Sequence, residues 1–111
     1  MTDVILVLTT ADSEKLALKI ASALVERKLA ACVNIVKSVR SIYRWKDRVH
    51  DDEEHVLLIK TLRPAFDDVR RAIRELHTYE LPDILALPVE RGDEQVLEWI
   101  AGSVMRLGTR S

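Results

Sequence analysis

One stretch limits the folds open to this chain more than any other. From Ala31 to Trp45 the sequence alternates: Ala31, Val33, Ile35, Lys37, Val39, Ser41, Tyr43 and Trp45 hold one parity, and Cys32, Asn34, Val36, Ser38, Arg40, Ile42 and Arg44 the other. A period of two is the signature of strand. After a turn near Lys46, Asp47 and Arg48 the chain returns from Val49 to Leu62, with Val56, Leu58 and Leu62 on one parity and Leu57 and Ile59 on the other. A leg that is apolar on both faces belongs inside a sheet, so the two legs predict one long hairpin. The fifteen residues of its first leg at about 3.3 Å each would span roughly 50 Å, whereas a domain near 100 residues has a radius of gyration of only about 13 Å. The tip is therefore expected to overhang its own globule, carrying Tyr43 and Trp45 and an open strand edge into water. Such an overhang calls for a partner, most simply another copy of the chain. The alternative is a hairpin folded back on its own body, with a bulge at Lys37-Ser38.

The remaining elements follow in order. Val4 to Leu8 is a continuous run of branched apolar residues, expected to be a buried central strand that ends at Thr9-Thr10. Asp12 or Ser13 caps a helix, with Glu14 placed well against the dipole. Leu16, Ala17, Ile20, Ala21 and Leu24 form its apolar stripe, and the helix ends near Arg27 or Lys28. After the hairpin, Pro64 suits the first turn of a second helix, in which Phe66, Val69, Ile73 and Leu76 share a face. Leu81-Pro82-Asp83 breaks that pattern. Ile84 to Val89 reads as a strand whose Pro88 favours an edge. Arg91-Gly92-Asp93 then turns and caps a short helix, with Val96, Leu97, Ile100 and Val104 expected inward and Trp99 near its end. Strand, helix, strand, strand, helix, strand is the split βαβ order of an α+β, ferredoxin-like sandwich, and the last helix is free to cover an edge or a neighbouring subunit.

Composition narrows the function classes. At 111 residues the chain is expected to be a single domain spanning 1–111. A net charge of -1 lacks the basic footprint of a nucleic-acid binder. Its apolar runs are too short to cross a membrane, and with no secretory pattern ahead of the first strand a cytoplasmic protein is expected. Cys32, the single cysteine, can make neither an internal disulfide nor a CxxC motif. No nucleophile with a base partner, phosphate loop or dinucleotide fingerprint is recognisable in the sequence, so no enzyme is expected.

Several ordered stretches carry a resemblance. Ala30-Ala31-Cys32-Val33-Asn34, Ser41-Ile42-Tyr43-Arg44-Trp45, Leu58-Ile59-Lys60-Thr61, Glu75-Leu76-His77-Thr78-Tyr79-Glu80-Leu81-Pro82 and Ala86-Leu87-Pro88-Val89 resemble the CutA family of divalent-cation tolerance proteins, over nearly the whole chain. The resemblance implies a ferredoxin-like protomer in a homotrimer shaped like the PII signalling proteins, with long hairpins pairing between subunits. It implies an association with copper and other divalent metals in bacteria, and with acetylcholinesterase anchoring in animals, without a defined reaction. The chain departs from the family pattern at Thr78, where proline is usual, at Lys37-Ser38, where Pro-Gly is usual, and at Thr9, where some members carry a cysteine ligand.

The candidate sites follow from these two readings. His77 and Glu80 stand three apart beyond a helix end and are chemically able to bind one borderline cation, copper(II) foremost, if Cys32 or a second subunit completes the set. Equally, His77 can cap its helix and bond Glu80. Lys60, with Tyr79 and Asn34, marks a possible small-anion cleft of a PII-like signalling trimer, or else pairs with Glu80 or Asp83. Tyr43, Trp45, Ile42 and Trp99 are the expected trimer contacts. The run from His50 to His55 splits between two strand faces and reads as solvated. Arg40, Arg44, Lys46 and Arg48 form a basic stripe opposite the aromatics that the acidic run can neutralise across the hairpin.

Overall fold

The computed structural model describes residues 2–105. Strand β1 covers Val4–Ala11, helix α1 Glu14–Glu26, strands β2 and β3 Cys32–Trp45 and Arg48–Leu62, helix α2 Phe66–Leu76, strand β4 Leu85–Pro88 and helix α3 Glu94–Ser103, with a 3-10 turn at Arg63–Ala65 leading into α2. The strands make one antiparallel sheet in the order β2-β3-β1-β4. That is the ferredoxin-like arrangement expected from the element order, and it puts the two most apolar strands, β1 and β3, in the middle.

The helices bury one face of this sheet. Ser13 caps α1, its Oγ accepting from the Leu16 amide at 3.1 Å, and the five stripe residues Leu16, Ala17, Ile20, Ala21 and Leu24 are all buried. Val69, Ala72 and Ile73 of α2 join them. They meet Ile5, Val7, Leu57 and Ile59, the alternate residues of the central strands, in one core. Each such aliphatic side chain contributes about 1.5–3 kcal/mol on burial. Val4 and Leu62, register partners that point to the other face, are buried as well, and α3 packs against β1 and β3. The rest of that second face keeps half-exposed Leu6, Leu8 and Leu58, with Leu85 and Leu87 more exposed still.

Three local expectations change. Strand β1 does not stop at Thr9-Thr10: Thr9, Thr10 and Ala11 pair with Leu57, Val56 and His55, because the long return strand offers partners past the apolar run. Val96 is half exposed, on the flank of the stripe made by Leu97, Ile100 and Val104. The third change is in the hairpin. The bulge that belonged to the alternative reading is present, where the register shifts between Val36 and Val39, with Ser38 at φ 59° and its amide donating to His55 Nδ1 at 3.3 Å. Two residues of β2 face one of β3, so parity changes there. Val33 and Ile35 look toward the helices, opposite Ile59 and Leu57. Val39, Ser41, Tyr43 and Trp45 look to the other face, opposite Glu54, Asp52, His50 and Arg48. Arg48 thus shares the aromatic face instead of opposing it, while Arg40 binds Asp51 through two hydrogen bonds of 2.8 and 2.6 Å. The hairpin overhangs the rest of the sheet, since β1 ends at Ala11 opposite His55 and the pairs from Val39–Glu54 to Trp45–Arg48 have no third strand beside them among the described residues, in a molecule of 45 × 29 × 24 Å.

Candidate functional site

The hairpin tip leans over the segment that follows α2, and a groove of about 710 Å3 lies between them. Its floor is Thr10, at the end of β1. One wall is Ser41, Tyr43, Trp45 and Glu54 from the hairpin, and the other is the segment from Tyr79 to Ile84. With every residue kept, the bulge is what turns Tyr43 and Trp45 to this face, because a straight register would leave them on the helix side.

His77 anchors the second wall. As the residue capping the end of α2, it donates its amide to the Ile73 carbonyl at 2.8 Å. Its Nδ1 accepts from the Tyr79 amide at 3.1 Å, so the neutral ring carries its proton on Nε2, which donates to the Thr10 carbonyl at 2.6 Å. Thr78 is exposed between them, and the His77–Tyr79 bond closes the turn. Tyr79 packs on His77 with ring centroids 4.4 Å apart and donates its hydroxyl to Glu54 Oε2 at 2.6 Å. Burial, then the bond to Glu54, push the Tyr79 phenol well above its ordinary value. Tyr43 stacks on His50 at 5.1 Å and donates to Asp52 Oδ2 at 2.6 Å; that bond leads in raising its pKa to about 12. At the rim, Lys46 Nζ lies 3.3 Å from Glu80 Oε2 and 5.6 Å from the centroid of the Trp45 ring. Glu54, Glu80 and Asp83 line the groove, and none of its lining residues is a lysine or arginine.

The structure separates residues that the sequence grouped. Glu80 is bound by Lys46, not by His77 or Lys60. Cys32 pairs with Lys60, and Lys60 with Leu6, whereas His77 meets Thr10, roughly 13 Å further along β1. One protomer therefore does not bring Cys32 to His77 and Glu80. Among the described residues no group of three or more His, Cys, Asp or Glu is placed to hold a metal ion. Lys60 and Asn34 do share a face beside Cys32, whose Sγ lies 3.8 Å from Asn34 Oδ1, while Tyr79 sits in the groove some six residues away along β3. Ile42 and Trp99 are exposed, at 68% and 53%. Within the run from His50 to His55, the expectation of a solvated stretch fails at Glu54 and His55, which are buried. Glu54 was the missed site residue, and its signal was an acid on the parity of Val56 and Leu58.

The sequence profile of a family described as CutA1 divalent ion tolerance protein matches residues 5–103. A divalent-cation tolerance protein CutA of Thermus thermophilus is 48% identical over 94 residues, which cover 85% of this chain and 91% of that protein. The human protein CutA is 44% identical over 94 residues, 82% of this chain, and the chain spans 51% of its length. In the solved structures, the divalent cation tolerance protein of Thermus thermophilus superposes with a TM-score of 0.90 at 44% identity, covering 92% of this chain and 99% of that one.

Proposed function

The chain belongs to the CutA1 family of divalent-ion tolerance proteins, and from that premise we propose that it binds divalent cations, copper(II) foremost, as a homotrimer, in clefts between subunits. The observation that carries this reading is the segment after α2, which holds His77 and Glu80 at the margin of a groove lined by three carboxylates. Copper(II) takes an imidazole nitrogen and carboxylate oxygens readily. To ligate through Nδ1, His77 gives up one hydrogen bond to the Tyr79 amide, a loss of about 1 kcal/mol, and Glu80 gives up an exposed ion pair of similar or smaller worth. Cys32, or another group from a neighbouring subunit, completes the set.

The trimer reading rests on the overhanging hairpin and on the apolar sheet face outside the helix layer, where Leu85 and Leu87 are 59% and 47% exposed. We read the protein as a binding protein rather than an enzyme. A lone, unpaired Cys32 fits the reducing cytoplasm, which we propose as its compartment. Calorimetric titration with copper(II) tests the metal reading. Saturation near one ion per chain, weakened tenfold or more by His77→Ala, supports it, and binding indifferent to that substitution overturns it.

A further inference from the structure

Glu54 is a buried acid without a cation. It is only 6% exposed, and among the described residues its side chain takes one hydrogen bond, from the Tyr79 hydroxyl to Oε2 at 2.6 Å. Oε1 has no partner there. The two cations of the arm that form ion pairs are held by other acids, Arg40 by Asp51 and Lys46 by Glu80. A carboxylate withdrawn from water needs a counter-charge or a full set of donors, and one neutral phenol provides neither.

The same phenol belongs to the residue that occupies His77. Tyr79 donates its amide to His77 Nδ1 at 3.1 Å and its hydroxyl to Glu54 Oε2 at 2.6 Å, with its ring packed on the imidazole. One residue thus covers, from its two ends, the free lone pair of an imidazole and a carboxylate. Both bonds lie within the protomer, so their existence does not depend on which surfaces assembly leaves open. While they hold, no three metal donors stand together among the described residues. Release of Tyr79 uncovers two at once. No proton has to leave, because His77 Nε2 keeps its hydrogen for the Thr10 carbonyl and the phenol turns its own to water.

We propose that Glu54 is a ligand of the divalent cation bound at His77, and that Tyr79 is a latch that keeps both donors covered until the cation displaces it. This inference rests on the metal reading above and adds to it a donor from the same chain as His77 and Glu80. The cation is then the counter-charge that Glu54 lacks, and the stability of the latch sets how much of it is needed.

Calorimetric titration with copper(II), on the full chain in the assembly that light scattering gives, tests both parts. Tyr79→Phe keeps the ring on His77 and removes the hydroxyl. It is expected to bind copper(II) about tenfold more tightly than the wild type, the factor that a hydrogen bond to a charged group is worth. Glu54→Gln keeps the size of the side chain and still accepts from Tyr79. It is expected to bind about tenfold more weakly, since even groups one step outside a metal's ligands cost that much, and the double variant loses the gain of Tyr79→Phe. Amide hydrogen exchange at position 79 reads the latch without metal, and it is expected to quicken in Tyr79→Phe. Circular dichroism establishes that each variant is folded. Unchanged copper(II) affinity in Tyr79→Phe overturns the latch, and so does unchanged exchange. Binding that His77→Ala weakens but Glu54→Gln does not, as a lysine or arginine of a neighbouring subunit on Glu54 would give, overturns the ligand role and leaves the metal reading standing. Binding indifferent to His77→Ala overturns the metal reading, and this proposal with it.

Discussion

Tyr43 and Tyr79 are the two tyrosines of the chain, and each donates its hydroxyl to a carboxylate, Asp52 and Glu54 respectively. A phenol bonded to an anion resists losing its proton, because ionisation would set two negative charges face to face. Both pKa values are raised, Tyr43 to about 12 and Tyr79 in the same direction. Unfolded, both titrate near about 10. The sign follows from linkage: the raised folded value favours the native state fully below about pH 10, and that share is lost as pH climbs through the folded values. Ultraviolet titration of tyrosinate is thus expected to show little ionisation of the native protein at pH 11, and a midpoint near 10 once guanidinium has unfolded it. Coincident native and unfolded curves would remove these bonds from the account. Neither partner was legible in the sequence, since Tyr79 and Glu54 stand 25 residues apart and meet only because the hairpin overhangs. His77 was legible as a cap, but not its reach to Thr10, 67 residues away.

Among the elements, α1 and α2 were readable because a helix stripe depends on local spacing alone, and every stripe residue of α1 is buried. The hairpin was readable in length and turn position, but the single parity read from Ala31 to Trp45 does not hold throughout, because one extra residue at Lys37-Ser38 changes the parity of everything beyond it. Its turn carries a second cost. Trp45 pairs with Arg48 across a two-residue loop, and both loop residues, Lys46 at φ 51° and Asp47 at φ 62°, are left-handed. That is the geometry of a tight primed turn, for which glycine is favoured at the second position. Left-handed backbone costs a residue with a Cβ about 1–2 kcal/mol, partly offset by the greater freedom glycine has when unfolded. Asp47→Gly is accordingly expected to stabilise the fold by about 0.5–1 kcal/mol, read as a higher midpoint in urea. A lower midpoint would mean that the Asp47 side chain holds the turn.

At the scale of the molecule, the sheet presents two unlike faces. One is sealed by α1 and α2, and the other is closed only near its ends, by α3 and by the segment beyond His77, leaving Leu6, Leu8, Leu58, Leu85 and Leu87 between. Strand β4 is also an edge. If this face is what copies of the chain share, Leu85→Asp with Leu87→Asp places charge in it at two exposed positions that the protomer core does not need. The expected result is a fall in mass by light scattering from trimer toward monomer with native circular dichroism, and an unchanged trimer would move the interface elsewhere. This surface was foreseeable only in part, because its exposure reflects which face the helices leave bare. The bulge has a further consequence for the chain's length. Strand β2 carries one residue more than β3 requires, since Val36 faces Val56 and Val39 faces Glu54. Dropping Lys37 or Ser38 would leave every remaining pair with its present partner, and Tyr43 and Trp45 on their present side. The arm thus holds one residue of slack, and its length can shrink by a single step there while the groove keeps its walls.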